Sequence, residues 1–212
     1  MKFIVDLDGT LVCPKQRIYS LFCELSPDPT LPYEAYWALK MAGLSNVDIL
    51  ERYYNCSEQA RRRFHSLWMA TIEDCKYLAH DSLIPGTVPA LELLRNKGKV
   101  YLCTARQRKK AVEAQLEHLG IPKLFDELIV TGLSSDKVSA ISKVGLELSG
   151  NSWLIGDTGK DVGAAKTIGV RSCAVSSGVM NYFNLKKYEP DAIFPCLMDF
   201  SQSLEEADIN TV

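Results

Sequence analysis

Two carboxylates, Asp6 and Asp8, come directly after the apolar run Phe3 to Val5 and are followed by Gly9 and Thr10. An apolar run that ends in Asp-x-Asp-Gly predicts a buried strand that opens into a tight loop. Because side chains alternate along a strand, both acids would point to the same side at the carboxyl edge, where α/β sheets place ligands. Mg²⁺ uses one or two carboxylates together with substrate phosphate and water, so the pair predicts a magnesium-assisted phosphate site. A solvated turn is the alternative for this fragment alone.

Three further polar features follow apolar runs: Thr104, Lys137 and the segment Gly156 to Asp161. Taken singly, the first two are typical of a helix cap and a surface charge. The third places Asp157 directly after a predicted strand and Asp161 four residues later, at the start of a predicted helix. Two more carboxylates are therefore expected at the sheet edge that holds the first pair, an accumulation that a purely structural protein would rarely have.

Alternating helices and short apolar strands follow from Pro85 onward, a pattern typical of parallel α/β proteins. We expect one doubly wound, Rossmann-like parallel sheet that includes the opening strand. The polar, acidic C-terminal tail is predicted to fray. Further strands are predicted over 100–104, 127–131, 152–157, 170–175 and, at the edge, 191–194. Helices are predicted over 88–96, 109–118, 136–148 and 161–168, with a short one before Pro190.

Residues 14–83 lack strand patterns and show helical periodicity, which predicts an insert of four helices. Core domain boundaries of 1–13 and 84–212 follow, with 14–83 as a separate α-helical domain. Tyr36 and Trp37 fall at helical spacing, which favours a core role over stacking on a substrate. Arg61 to Arg63 are likewise predicted to form a solvated face, with substrate contact as the alternative.

Composition excludes several classes of protein. The chain has 212 residues, 47% hydrophobic and 24% charged, and a net charge of -2, which are ordinary values for a globular protein without affinity for nucleic acid or an anionic membrane. Seven scattered cysteines without a CxxC pair disfavour a zinc site or a disulfide framework and fit a reducing compartment. With no secretory signal and no bilayer-spanning apolar run, we expect a cytoplasmic protein, either a monomer or a homodimer.

With all four polar segments in view, the chain resembles the haloacid dehalogenase superfamily of phosphohydrolases, in particular its phosphoglycolate-phosphatase-like branch with a helical cap. The resemblance implies that Asp6 is the nucleophile and that Asp8 is the acid and base. It implies that Thr104, with the next backbone N–H, holds the phosphate, and that Lys137 pairs with Asp6 and the phosphate. The insert would then be the cap, a lid that excludes water. The implied ligands of Mg²⁺ are Asp6, the carbonyl of Asp8, Asp157 and, directly or through water, Asp161.

Two positions depart from the pattern of that family. Val12 to Pro14 replace the Asp-Ser that commonly follows Asp-Gly-Thr-Leu, and Ala105 stands where asparagine is common. Arg106 is expected to compensate by offering a bidentate donor to the phosphate. Ala105 and Arg106 therefore join Thr104 and Lys137 as expected substrate-binding residues.

The expected function is Mg²⁺-dependent hydrolysis of a small phosphorylated metabolite through an aspartyl-phosphate on Asp6. A phosphosugar mutase would share every motif, and a binding protein on a retired hydrolase scaffold is the alternative from another class. A dehalogenase is disfavoured, because halide loss needs no acid at Asp8. The sequence does not name the phosphomonoester, since a shared fold does not determine the substrate.

Overall fold

The computed structural model of the protein describes residues 1–28, 30–132 and 136–209. The chain divides into two compact units, Met1–Cys13 with Ser82–Val212, and Pro14–Asp81. The boundary predicted after residue 83 differs by two residues, because Ser82 and Leu83 pair with Cys13 and Val12 in a short antiparallel ladder of the first unit. Whether each unit folds independently stays a prediction.

The first unit is built on a six-stranded parallel sheet. The strands of the described residues are β1 (Lys2–Val5), β2 (Val12–Cys13), β3 (Ser82–Leu83), β4 (Lys99–Thr104), β5 (Glu127–Val130), β6 (Trp153–Gly156), β7 (Arg171–Val175) and β8 (Ala192–Phe194). The sheet has the order β5-β4-β1-β6-β7-β8, and β2 pairs with β3 outside it. The predicted edge strand is present as β8. The predicted parallel α/β class is confirmed.

Helices of both units account for most of the remaining chain. The second unit contains α1 (Lys15–Leu25), α2 (Tyr33–Met41), α3 (Asn46–Arg52), α4 (Glu58–Thr71) and α5 (Cys75–Leu78). The first unit contains α6 (Thr87–Lys97), α7 (Lys109–His118), α8 (Lys137–Val144), α9 (Gly159–Ile168), α10 (Tyr182–Lys186) and α11 (Leu197–Ile209), with a 3-10 turn at Pro122–Leu124. None of the helices in the described ranges is long and apolar enough to cross a bilayer.

Side chains of the central strand alternate between the two faces of the sheet. Phe3 and Val5 belong to a core that contains residues of α6, α7 and α11, whereas Ile4 belongs to a core with residues of α8 and α9. Helices therefore cover both faces, which is the doubly wound arrangement predicted from the sequence. Because β1 lies between β4 and β6, the residues that follow it reach the middle of the carboxyl edge.

Most of the C-terminal segment forms helix α11, which the sequence did not predict, whereas residues 210–212 of the tail predicted to fray lie outside the described residues. Phe200 is buried, and its ring meets that of Trp153 edge-on with centroids 5.1 Å apart. Leu197, Phe200 and Leu204 share one helical face and pack into the core that contains Phe3. The prediction gave weight to the acidic residues of the segment and missed this apolar stripe.

Two other helical predictions need correction. Helix α8 ends at Val144, because Gly145 adopts a φ of 68°, a left-handed conformation that glycine enters without strain. The predicted end at residue 148 was therefore too late. In the second unit four helices were predicted, and the described residues contain a fifth, α5, shortly after α4.

Aromatic side chains form the core of the second unit. Tyr36 is fully buried, with its ring centroid 4.7 Å from that of Phe22, and Trp37 is buried as well. The interpretation of Tyr36 and Trp37 as core residues is confirmed. On the surface of α4, the second and third members of the run Arg61 to Arg63 are exposed, and the first forms an ion pair with Glu51.

Candidate active site

Asp6 is the first residue after β1, in the middle of the sheet. Its backbone N–H donates to the carbonyl of Ile155 at 2.9 Å, so the pairing of β1 with β6 continues one residue beyond the strand. Alternation along β1 places Asp6 on the same face as Ile4, which α8 and α9 cover. Asp6 is only 8% exposed, so its carboxylate is largely removed from water.

The segment that joins β6 to α9 supplies two more carboxylates. Asp157 follows β6 and accepts a hydrogen bond from the backbone N–H of Val179 at 2.7 Å. Asp161 lies in the first turn of α9 and accepts from the backbone N–H and the hydroxyl of Thr158, at 3.1 and 2.6 Å. These two hydrogen bonds thus serve both the helix N-terminus and the orientation of an acid. Oxygen atoms of Asp6, Asp157 and Asp161 lie within 4.8 Å of one another.

Lys137 begins α8 and brings a positive charge to these three acids. Its Nζ donates to Asp6 Oδ1 at 2.6 Å and also contacts Asp161. Asp136 caps the helix by accepting from the backbone N–H of Ser139 at 2.7 Å. A cation in the first turn is disfavoured by the helix dipole, typically by about 0.3–1 kcal/mol. The two carboxylates, rather than the helix, therefore determine where the ammonium lies.

Burial and mutual repulsion shift the pKa values of the acids. Burial raises the pKa of Asp6 to about 7, although Lys137 opposes the shift. Burial also raises the pKa of Asp157 well above its ordinary value, and the nearby Asp6 adds to the effect. For Lys137 burial alone would lower the pKa, but Asp6 and Asp161 outweigh it and raise the pKa above its usual value. The site holds a charged lysine among carboxylates whose simultaneous ionisation is unfavourable.

These side chains fit a hard divalent cation. When ionised, Asp6, Asp157 and Asp161 carry three negative charges and Lys137 carries one positive charge, which leaves two negative charges in a buried site. The three carboxylates offer oxygen atoms as metal ligands, and oxygen is the kind of ligand atom that Mg²⁺ prefers. A doubly charged cation would offset the desolvation and repulsion that raise the pKa values of Asp6 and Asp157.

The side chain of Asp8 pairs with Arg106 and lies outside the group of three carboxylates. Arg106 Nε lies 2.5 Å from Asp8 Oδ2, and Nη2 lies 2.7 Å from Oδ1. The arginine side chain is 4% exposed and that of the aspartate is 30% exposed. Because the side chain contacts Arg106, the backbone carbonyl of Asp8 is the group of this residue that we expect to bind a metal ion. Arg106, which we expected to bind the substrate phosphate, contacts a protein carboxylate here.

Thr104 ends β4, the parallel neighbour of β1, so it reaches the same edge of the sheet as Asp6. The threonine is 1% exposed, and its hydroxyl accepts from the backbone N–H of Arg106 at 3.4 Å. Ala105, the next residue, is exposed. The hydroxyl and the following backbone segment therefore lie at the carboxyl edge of the sheet with Asp6, and the phosphate-binding role that the resemblance implies stays a prediction.

The loop after β7 supports the site, and sequence reasoning missed it. Gly9 has a φ of 83°, and a Cβ there would collide with the carboxylate of Asp157 and lie 2.9 Å from Cα of Gly178. Ser177 donates from its hydroxyl to the carbonyl of Gly9 at 2.8 Å, while the backbone N–H of Val179 holds Asp157. One loop thus braces both acidic segments. A Ser-Ser-Gly run directly after the strand predicted over 170–175 was the available signal.

Comparison with known proteins relates the chain to one group of hydrolases. The family model of haloacid dehalogenase-like hydrolases matches residues 3–169. "Probable phosphatase IndB" of Dickeya dadantii (strain 3937) is 26% identical over 208 residues, which cover 90% of this chain and 87% of that protein.

Solved structures share the fold at lower identity. A predicted phosphatase from Clostridium acetobutylicum has a TM-score of 0.76 at 19% identity, over 97% of this chain and 98% of its own. A predicted phosphoglycolate phosphatase from Haemophilus somnus 129pt has a TM-score of 0.70 at 21% identity, over 95% of this chain and 96% of its own. Likeness at these identities establishes the architecture, and the chemistry must be argued from the site.

Proposed function

The chain belongs to the haloacid dehalogenase-like hydrolase family, and we propose that it is a Mg²⁺-dependent phosphatase that hydrolyses a small-molecule phosphomonoester through an aspartyl-phosphate intermediate. The observation that carries this proposal is the convergence of Asp6, Asp157 and Asp161 with Lys137 at one edge of the sheet. Phosphoryl transfer depends mainly on positioning and on neutralisation of charge, and this group of residues provides both.

Asp6 is the nucleophile in this proposal. Its carboxylate forms a bond to phosphorus while the bond from phosphorus to the leaving oxygen breaks. Lys137, 2.6 Å from the Asp6 carboxylate, neutralises part of the charge on the transferred group. Water then attacks the phosphorus of the aspartyl-phosphate, which releases inorganic phosphate and restores the carboxylate.

Asp8 moves the protons that these two steps require. Its carboxyl group donates a proton to the leaving oxygen in the first step, and the resulting carboxylate takes a proton from the attacking water in the second. It follows Asp6 by two residues in the same loop. One carboxyl group therefore serves as acid and then as base, and returns to its starting state after each turnover.

Thr104 and the backbone N–H of Ala105 bind the phosphate oxygens. Their place at the end of β4, beside β1, supports this role because donors held by a strand end need little reorganisation during the reaction. Mg²⁺ is assigned to Asp6, Asp157 and the carbonyl of Asp8, with Asp161 acting directly or through water. When bound, the ion supplies positive charge that offsets the negative charge of a phosphate beside the carboxylates.

The substrate class is a small phosphorylated metabolite. Support comes from the similar proteins described as a probable phosphatase and as a predicted phosphoglycolate phosphatase. Net charge of -2 gives no general attraction for large polyanions, so an anionic substrate must be held by local contacts at the site.

A panel of phosphomonoesters tests the proposal. Phosphoglycolate, sugar phosphates and nucleotides are incubated with the protein after dialysis against EDTA, with and without added Mg²⁺, and released phosphate is measured. We expect release from at least one small ester only when Mg²⁺ is present. Undiminished release in EDTA would end the metal assignment, and silence across the panel with Mg²⁺ would end the phosphatase assignment. Isomerised sugar phosphate without released phosphate would identify a mutase instead.

A further inference from the structure

Arg106 is a buried cation in the loop after β4. Its guanidinium meets the carboxylate of Asp8 through two contacts, Nε to Oδ2 at 2.5 Å and Nη2 to Oδ1 at 2.7 Å. The side chain of Arg106 is 4% exposed, so packing holds the fork in place. Its backbone is held as well, because its N–H donates to the hydroxyl of Thr104.

The geometry of this pair constrains Asp8 more than a single contact would. A planar guanidinium that binds both oxygens of a carboxylate fixes the plane of that carboxylate as well as its position. The Asp8 side chain is 30% exposed and lies in a loop beyond the strand. Without the fork, such a partly exposed side chain would sample several rotamers.

We propose that Arg106 is a positioning residue that acts through Asp8, holding the carboxyl group that transfers protons, and that it is not a ligand of the substrate phosphate. This inference rests on the proposed function for the role of Asp8. Two donors of Arg106 face Asp8, which removes them from any simultaneous bidentate contact with a phosphate. The arginine therefore influences the rate through the placement of Asp8.

A double-mutant cycle separates the two roles. Arg106→Ala, Asp8→Asn and the double variant are compared on p-nitrophenyl phosphate, whose leaving group needs little protonation, and on glycerol phosphate, whose leaving group needs much. A misplaced catalytic group can lower a rate by about 10²-fold. We expect Arg106→Ala to lower kcat on glycerol phosphate by about that factor, with KM nearly unchanged and a smaller loss on the activated ester.

The decisive comparison is the effect of Arg106→Ala in the wild-type protein against its effect in the Asp8→Asn variant. If Arg106 acts through Asp8, Arg106→Ala causes little further loss in the Asp8→Asn variant, because the group that it positions is already absent. If instead Arg106 binds phosphate, KM rises by a similar factor on both esters and in both backgrounds, and the proposal is overturned. Arg106→Lys keeps the charge but loses the fork, so it should restore only part of the rate on glycerol phosphate.

A matched control is available in Arg95, an exposed arginine in the last turn of α6. Arg95→Ala removes the same charge and should leave both esters unaffected. If Arg106→Ala does not fold by circular dichroism, the cycle is run with Arg106→Lys and judged by the same comparison of backgrounds.

Thermal unfolding tests the pair independently of activity. We expect the losses of midpoint temperature in Arg106→Ala and Asp8→Asn to sum to more than the loss in the double variant, since both break the same contact. Additive losses would overturn the inference even in an active enzyme. If the losses of midpoint temperature are not additive but the protein hydrolyses no phosphomonoester, the contact between Arg106 and Asp8 is supported and the proposed function is excluded.

Discussion

Both units of the protein bury carboxylates, but they balance the negative charge differently. In the second unit, Asp81 forms an ion pair with Arg17, with Nε 3.0 Å from Oδ1 and both side chains almost inaccessible to water. At the edge of the parallel sheet, three buried carboxylates group around Lys137, which leaves two negative charges when all are ionised. The first arrangement pairs an acid directly with a buried guanidinium, and the second is complementary to a further cation.

This difference separates a structural ion pair from a site. A buried carboxylate with a matched partner gives no reason to expect a ligand, since its charge and hydrogen bonds are already satisfied. At the sheet edge, burial and the repulsion between neighbouring carboxylates raise the pKa values of Asp6 and Asp157. Shifts of this kind concentrate at functional positions. The comparison predicts that equivalent mutations in the two regions affect different properties.

The largest contrast is expected in turnover. Asp6→Asn removes the nucleophile, so hydrolysis of every ester should fall to background, and acid-quenched protein should carry no phosphate. Asp81→Asn removes a buried carboxylate from the other unit and should leave the chemical step intact in the folded fraction. Phosphate release under single-turnover conditions, corrected for folded protein, measures both. A phosphorylated Asp6→Asn protein would move the nucleophile elsewhere.

The second contrast concerns stability. Breaking a buried ion pair by removing one partner typically costs about 3–5 kcal/mol, because an uncompensated charge remains. Asp81→Asn should therefore lower the free energy of unfolding by about that amount. Arg17→Met with Asp81→Leu removes both charges and should recover most of the loss. Urea unfolding measures the set, and a double variant as unstable as Asp81→Asn would show that the loss arises from packing rather than from an unpaired charge.

The third contrast is the response to Mg²⁺. A ligand that binds only the folded state at 100 times its dissociation constant stabilises a protein by about 2.7 kcal/mol. We expect Mg²⁺ to raise the unfolding midpoint of the wild-type protein and to have no such effect on Asp157→Asn, which lacks a proposed ligand. Asp81→Asn should retain the Mg²⁺-dependent rise from its lower starting point. A rise in Asp157→Asn equal to that of the wild type would exclude the proposed metal site.

Much of this arrangement could be predicted from the sequence, because it follows from local patterns. Apolar runs that end in acids located Asp6 and Asp157 at strand ends, and Gly98 and Gly120 marked where two helices stop. The order of the strands then brought the acids together. These inferences need only periodicity and the rule that parallel strands share a carboxyl edge.

Other features could not be predicted because they depend on packing between distant segments. The contact of Arg106 with Asp8 spans 98 residues, and an arginine fork serves a phosphate or a carboxylate equally well. The brace from Ser177 to Gly9 spans 168 residues and consists of a common hydroxyl on a carbonyl. Likewise, α11 owes its position to the contact of Phe200 with Trp153, and these two residues are too far apart in the sequence for a local pattern to relate them.

The smallest contrast compares two helix N-termini with the same local design. In α3, Ser45 is the N-cap and Asp48, three residues on, accepts from its backbone N–H at 2.7 Å. In α9, Thr158 is the N-cap and Asp161 accepts in the same way at 3.1 Å. Replacing an N-cap serine or threonine by alanine typically costs about 1 kcal/mol.

Ser45→Ala and Thr158→Ala should therefore lose similar stability, while only the second lowers affinity for Mg²⁺, because Thr158 also orients Asp161.

The hydrogen bond from Ser45 lowers the pKa of Asp48 below its ordinary value of 3.8. A carboxyl group whose pKa is lower in the folded state stabilises that state above its unfolded pKa, and this contribution disappears as pH falls through the folded pKa. The stability difference between wild type and Asp48→Asn should accordingly be present at pH 7 and shrink below about pH 4. Mg²⁺ titrations followed by unfolding midpoint and urea unfolding at pH 7 and pH 3 provide the measurements. Equal losses of Mg²⁺ affinity in the two alanine variants would mean that Thr158 serves its helix alone and that the two N-termini do not differ in function.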